Sequence, residues 1–245
     1  MKPIAIVTGA SSGIGAETAR QLSNDYVVYC IARRTDRIES LAADIGGVAV
    51  TCDLTRVEDI AHLAQVLPDR VDLLVNNAGG ALGQEPLATD DISRWEWMYQ
   101  INVLGTARVT QALLPALRAA QGTIIFVTST AAEAPYEGGS GYCGVKSAER
   151  SMAGSLRLEL AGEPIRICEI SPGLVFTKEF SLTRFEGDQA RAEAVYSGVE
   201  NPLVAEDIAE AIAWIASRPA HVNIDRMVVR PVAQAANHKL MRTAQ

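Results

Sequence analysis

Tyr142 and Lys146 stand four residues apart in the run SGYCGVKSAER, residues 140–150. On a helix that interval puts a phenol and an ammonium on one face, one turn apart. The pair has two readings. It is part of a solvated helix face, or it is a phenol whose proton is made easier to lose by an adjacent cation. The interval alone leaves the solvated face as the better reading, so the rest of the chain has to decide.

A second set of residues could hold an anion. TGASSGIG, Thr8–Gly15, follows the apolar run Ile4–Thr8 and carries Gly9, Gly13 and Gly15. A helix beginning near Gly13 would aim its first N–H groups at whatever sits there, and that end of a helix favours phosphate. The spacing G-x-x-x-G-x-G differs from the commonest dinucleotide fingerprint, and an ordinary Gly/Ser turn also accounts for it. The next β-branched run ends in ARRTDR. A chain that holds NAD by its ribose 2′-hydroxyl usually carries Asp or Glu there. Here Ala32 is followed by Arg33 and Arg34, with the nearest acid, Asp36, beyond the turn. A guanidinium fork matches a phosphate dianion. Given the glycine loop, the two arginines point to NADP rather than to a solvated helix start.

The elements that must position these groups alternate along the chain. Strand-like runs are Ile4–Thr8, Tyr26–Ala32, Val48–Cys52, Leu73–Asn76, Thr123–Ser129, Arg166–Ser171 and Ile224–Arg230. Helical patterns lie near Gly13–Ser23, Arg37–Ala43, Val57–Leu67, Ile92–Ala119, Tyr142–Leu160 and Ala205–Ala216. Several strand runs are apolar almost throughout, as strands buried on both faces must be. The pattern predicts an α/β fold, a doubly wound sheet of seven mainly parallel strands with helices on both faces. In such sheets ligands bind at the carboxyl ends of the strands.

The chain has 245 residues, 48% of them hydrophobic, which is enough for one sizeable core. No linker, repeat or low-complexity run divides it, so a single domain over residues 1–245 is expected, with a cofactor-binding half to residue 135 and a catalytic half from 136. A net charge of −7 argues against nucleic acid or an anionic membrane as partner. Cys30, Cys52, Cys143 and Cys168 are scattered and show neither zinc-ligand spacing nor a disulfide framework. The apolar run in MKPIAIVTGA is too short for a signal peptide, no run reaches the length of a membrane span, and a reducing cytoplasm is the expected location.

These pieces together resemble the short-chain dehydrogenase/reductase family. The carriers are Thr8–Gly15, NNAG at Asn76–Gly79, Asn102 in INVLGT, Ser129 thirteen residues before Tyr142, and SPGLVFT at Ser171–Thr177. The stretches NNAGGALGQEP, EFSLTRFEGDQARAEAVY and PAHVNIDRMVVRPVAQ are similar to the branch acting on serine and other 3-hydroxy acids. That resemblance implies an NADP-dependent enzyme, a homotetramer, and small substrates such as serine or allo-threonine. Reduction of a bulkier ketone or aldehyde is the alternative enzyme reading. An NADP-binding regulator without turnover is the alternative of another class, disfavoured by the complete Asn102–Ser129–Tyr142–Lys146 set.

The resemblance also implies roles. Tyr142 is the acid/base, and Lys146 favours its phenolate and holds the nicotinamide ribose. Ser129, rather than its neighbour Thr130, bonds the substrate oxygen. The backbone carbonyl of Asn102 holds a relay water. Residues expected around the cofactor are Gly9, Ser11, Ser12, Gly13, Ile14, Gly15, Arg33, Arg34, Asp53, Leu54, Asn76, Ala78, Gly79, Pro172, Gly173, Val175 and Thr177, with Tyr142 and Lys146. Asp53 is a candidate acceptor for the adenine amino group, or else a helix N-cap. Arg184 is the candidate partner for a substrate carboxylate, against the simpler reading of a surface pair with Glu186 or Asp188.

Overall fold

The computed structural model describes residues 2–243. Seven strands form one parallel sheet: β1 (Ile4–Thr8), β2 (Val27–Ala32), β3 (Val48–Thr51), β4 (Leu73–Asn76), β5 (Thr123–Val127), β6 (Arg166–Pro172) and β9 (Met227–Val229). Their order is β3-β2-β1-β4-β5-β6-β9. The helices between them are α1 (Gly13–Leu22), α2 (Thr35–Ile45), α3 (Val57–Val66), α4 (Ile92–Tyr99), α5 (Thr106–Ala120) and α6 (Ser140–Glu159). Among the described residues no helix is long and apolar enough to cross a membrane.

The period-2 side-chain alternation of a strand sorts the core into two layers. Ala5 and Val7 of β1, Leu73 and Val75 of β4, and Ile125 and Val127 of β5 face one layer. Ile6, Leu74, Ile124 and Phe126 face the other. The first layer is closed by α1 and by α9 (Ala205–Ala216), whose Ile208, Ile212 and Ile215 recur at helical spacing and are fully buried. The second is closed by residues of α3, α5 and α6, among them Leu63, Leu117 and Ala153. This is why the strand runs are apolar without alternation: both faces are covered.

The chain winds outward from β1 through β2 to β3, then returns to place β4 on the other side of β1. The loops leaving β1 and β4 therefore diverge at the centre of the sheet and open a crevice. Thr8 ties the two loop starts together. Its Oγ1 donates to the Val75 carbonyl at 3.2 Å and accepts from the N–H groups of Asn77 and Ala78 at 3.0 Å each.

The expected continuous helix Ile92–Ala119 is interrupted. Gln100–Gly105 forms a turn of π-helix between α4 and α5, with Asn102 inside it. Helical periodicity in sequence does not register one extra residue in a turn, so this break was hidden. The final strand is shorter than the expected Ile224–Arg230. Four short strands, β7 (Val175–Phe176), β8 (Leu203–Val204), β10 (Gln234–Ala236) and β11 (Lys239–Leu240), form two small separate sheets. Two short helices, α7 (Phe180–Arg184) and α8 (Gln189–Ala194), make a lid over the crevice. None of these pieces is long enough to leave a periodic signal.

Candidate active site

A cavity of about 830 Å³ lies at the carboxyl ends of the strands, under the lid. Its floor is built from the ends of β1, β4, β5 and β6, and its lid side includes Phe180, Ser181 and Arg184. Ser129, Tyr142, Lys146 and Arg184 all line it.

Tyr142 and Lys146 sit on α6, which is α-helical throughout, so the four-residue interval becomes one shared face. The Lys146 Nζ is 6.0 Å from the Tyr142 ring centroid. On the lid side the Arg184 guanidinium carbon is 5.7 Å from the same centroid. The Phe180 ring packs edge-on against Tyr142 at 6.0 Å between centroids. The phenol is thus flanked by two cations from different elements. Ser129 stands two residues past β5, which ends at Val127 and not at the expected Ser129; its Oγ accepts from the Ala131 N–H at 3.1 Å and caps a 3₁₀ turn. That fixes Ser129 on the cavity wall. Thr130 is buried beside it and also reaches the wall.

Lys146 is 4% exposed and does not stand alone. Its Nζ lies 2.6 Å from Glu149 Oε2 and donates to the Val127 carbonyl at 3.3 Å. Burial pulls the ammonium down, but the charge of Glu149, with a further contribution from Tyr142, outweighs it and holds Lys146 above its ordinary value. Burial pushes the Glu149 carboxyl up to about 7 against the opposing pull of Lys146 and a hydrogen bond from Thr106. Sequence reasoning missed Glu149. Its interval from Lys146 carried the signal, since residues three apart on a helix are neighbours.

Asn102 is fully buried and all of its amide is in use. Its Oδ1 accepts from the Gly80 N–H at 3.1 Å, and its Nδ2 donates to the carbonyls of Gly80 and Met98 at 2.9 and 2.8 Å. The side chain therefore pins the loop after β4 to the π-turn. This accounts for the helix break and for the position of Gly79 and Gly80 on the cavity wall.

At the other end of the cavity, Gly9 has φ +69°. A Cβ there would come within 2.9 Å of Ala78 Cα. Ser12 precedes α1, and its side chain makes no capping hydrogen bond to the helix N–H groups. Ser11, Ser12, Gly13 and Ile14 line the cavity at that point. Arg34 crosses over: its Nε and Nη2 donate to Ser11 Oγ at 3.1 and 2.8 Å, and Nη2 also to Ser12 Oγ at 2.8 Å. Hydroxyls, an uncapped helix start and a guanidinium edge thus converge on one place. That set is what a phosphate requires, so the residues present fit a phosphorylated dinucleotide. Arg33 lines the same region.

Three expected contacts fall elsewhere. Gly15 is off the cavity wall. A Cβ there would stand 2.3 Å from the Gly9 carbonyl oxygen, so this glycine lets α1 close on its own loop. Asn76 is 1% exposed and donates to Thr110 Oγ1 at 2.9 Å; its neighbour Asn77, just past the end of β4, lines the cavity instead and donates from Nδ2 to the Thr8 carbonyl at 2.9 Å. Asp53 makes a local turn, its Oδ1 accepting from the Thr55 N–H and hydroxyl at 2.9 and 2.8 Å. It is not a helix N-cap, since α3 begins after Arg56. Cys52 and Leu54 on either side of it reach the cavity. Ala78, Gly79, Pro172, Gly173, Val175 and Thr177 line the wall.

Arg184 does not pair with Glu186 or Asp188. Its Nε donates to the Gly83 carbonyl at 3.0 Å and its Nη2 to the Tyr136 hydroxyl at 3.1 Å. The Gly83 N–H in turn donates to the Arg184 carbonyl at 2.8 Å. Glu186 pairs with Arg94 instead, and Arg191 reaches Glu85 at 3.0 Å, so the lid is closed onto the loop after β4 by both backbone and ion pairs. Tyr136 and Gln234 also line the cavity, and Glu179 lines it at the Arg34 end. They escaped sequence reasoning because each comes from a segment with no periodic pattern. Cys143, next to Tyr142, is buried and burial pushes its thiol up, which makes it a packed residue rather than a nucleophile.

Comparison with known proteins agrees with this geometry. A family model described as short chain dehydrogenase matches residues 3–184. The uncharacterized oxidoreductase Rv0484c of Mycobacterium tuberculosis is 53% identical over 238 residues, covering 96% of this chain and 93% of that protein. The serine 3-dehydrogenase of Agrobacterium fabrum is 38% identical over 236 residues, covering 94% of each. The solved closed form of serine dehydrogenase complexed with NADP⁺ superposes with a TM-score of 0.92 at 36% identity, covering 99% of this chain and 100% of that one.

Proposed function

This chain belongs to the short-chain dehydrogenase family, and we propose from that premise that it moves hydride between NADP and the hydroxyl-bearing carbon of a small 3-hydroxy acid such as serine or allo-threonine. The observation that carries the substrate class is the Arg184 guanidinium, set 5.7 Å from the Tyr142 ring inside the cavity. A cation at that place favours a substrate whose carboxylate and hydroxyl are close together.

NADP, when bound, supplies the hydride acceptor or donor at its nicotinamide. Ser11, Ser12 and Arg34 would hold its 2′-phosphate end, with the start of α1 toward the diphosphate and Pro172, Gly173 and Thr177 toward the nicotinamide. Tyr142 takes the proton of the substrate hydroxyl in oxidation and returns it in reduction. Lys146 favours the phenolate by its charge. Ser129 donates a hydrogen bond to the substrate oxygen and stabilises the charge that develops there. Arg184 takes the carboxylate and, being on the lid, links substrate capture to closure. The backbone carbonyl of Asn102 serves the proton path while its side chain fixes the loop. A cytoplasmic tetramer is part of this reading. It is supported by the outward face of α6, where Gly144, Ser147, Ser151 and Ser155 are exposed and small enough to let a second helix approach.

The test is a panel of L-serine, allo-threonine, 3-hydroxypropionate and neutral alcohols of similar size, oxidised with NADP and followed by NADPH absorbance. Higher kcat/KM for the carboxylated members supports the reading. A preference for neutral carbonyl compounds in reduction removes it.

A further inference from the structure

The buried carboxylate behind the active-site lysine has no part in the scheme above. Glu149 is 1% exposed, on the same helix as Tyr142 and Lys146, and its Oε2 is 2.6 Å from the Lys146 Nζ. Lys146 is 4% exposed, and its hydrogen bond to the Val127 carbonyl is long at 3.3 Å. A buried ammonium without a counter-charge gives up its proton, shifting down by as much as ~3–5 pH units. Yet the ammonium form is the one that favours a phenolate at Tyr142.

Resting on the oxidoreductase reading of this site, we propose that Glu149 is a positioning residue whose carboxylate is the counter-charge that keeps Lys146 an ammonium at its buried place in the cavity wall. It acts through Lys146 and touches neither substrate nor cofactor.

The surroundings are consistent with that role. Thr106, at the start of α5, steadies the carboxylate with its hydroxyl. Glu169 on β6 faces the same region but is turned to other partners, accepting from Thr128 Oγ1 at 2.7 Å and Ser171 Oγ at 3.1 Å. Lys146 is the titratable group that faces Glu149 from its own helix. Burial and the charge of Glu169 push the Glu149 carboxyl up, while Lys146 and the Thr106 hydroxyl favour its ionised form.

The sequence makes the test direct. The chain has four lysines, Lys2, Lys146, Lys178 and Lys239, and of these Lys146 alone is buried. Nitrogen-15 labelling of lysine therefore gives few side-chain signals, and Lys146→Met assigns the one of interest. In the full-length protein the Lys146 signal should stay in the charged form beyond pH 10. In Glu149→Gln, which keeps a hydrogen-bond acceptor but removes the charge, it should titrate about two or more pH units lower. The pH profile of alcohol oxidation should move with it, with the rate at pH 8 falling about tenfold or more. Glu149→Asp should restore both in part.

An unshifted Lys146 titration in Glu149→Gln overturns the proposal, as does a rate profile that moves while the lysine signal does not. If Glu149→Gln fails to fold, the parent protein still decides: loss of the Lys146 charge below pH 8 there removes the counter-charge role, and retention beyond pH 10 supports it. The lysine titration does not depend on any substrate. A shifted titration in a protein that ignores hydroxy acids would leave this inference standing and bring down only the substrate reading.

Discussion

Arg34 and Glu179 are 145 residues apart in sequence, and in the folded chain Arg34 Nη1 donates to Glu179 Oε2 at 2.6 Å. The other edge of the same guanidinium, Nε and Nη2, is turned to Ser11 and Ser12. One side chain therefore joins the lid to the end of the cavity where the extra phosphate of NADP would be held. Arg37 grips the second oxygen of the same carboxylate.

Cofactor choice should depend on Arg34 more than on any other single side chain. Arg34→Ala should weaken NADP about tenfold or more, the value of one charge-assisted hydrogen bond, and leave NAD nearly unchanged. Titration of both cofactors in both proteins measures this. An equal loss for the two would mean that Arg34 supports the loop rather than reading the phosphate.

Glu179 gives stability a pH dependence with a definite sign. Burial alone would raise its carboxyl, but hydrogen bonds from Arg37 and Arg34 overturn that and bring it down to about 2. A depressed carboxyl contributes stability above its unfolded value near 4.5 and loses it as pH falls toward 2. The side chain is 33% exposed, so screening reduces the effect to on the order of 1 kcal/mol. Thermal unfolding of Glu179→Gln should differ from the parent above pH 5 and converge with it near pH 2. A difference that grows with acid would contradict the assignment.

Tyr142→Phe keeps the ring that packs against Phe180 and removes only the hydroxyl. Turnover should fall by roughly 10²–10⁴, the usual contribution of a positioned acid/base. NADP binding and the melting temperature should stay close to the parent values. Near-normal turnover would take Tyr142 out of the chemistry.

Arg184 carries two duties, which a pair of substrates separates. Its contacts to Gly83 and Tyr136 hold the lid, so Arg184→Ala should slow every substrate somewhat. Loss of a buried carboxylate contact costs ~2–5 kcal/mol, which is on the order of thirtyfold or more in kcat/KM. Serine should therefore fall by that additional factor relative to a neutral alcohol of similar size. If the two fall together, Arg184 serves only the lid.

The doubly wound sheet was legible in the residues, and the Asn102–Ser129–Tyr142–Lys146 set was named through the family resemblance. Apolar runs buried on two faces, helical spacing between them and the interval from Tyr142 to Lys146 are local patterns, and local patterns survive in sequence because each element obeys its own period. The glycine loop was legible too, though only as a whole: the fold assigned Gly9 to the cavity wall and Gly15 to the packing of α1 against that loop. What tertiary structure alone decided is which side chains from distant segments share one small volume. Asn76 turned inward and Asn77 outward, Asp53 was spent on a turn, and Arg184 was lifted from its acidic neighbours to Tyr136 and Gly83. Glu149 reached Lys146 where both side chains are buried, and Glu179, at the start of the lid, reached Arg34. The sequence states the charge of each of these groups, but the strength of a charge depends on its burial and its partner, and both are set by contacts between residues that the chain keeps far apart until it folds.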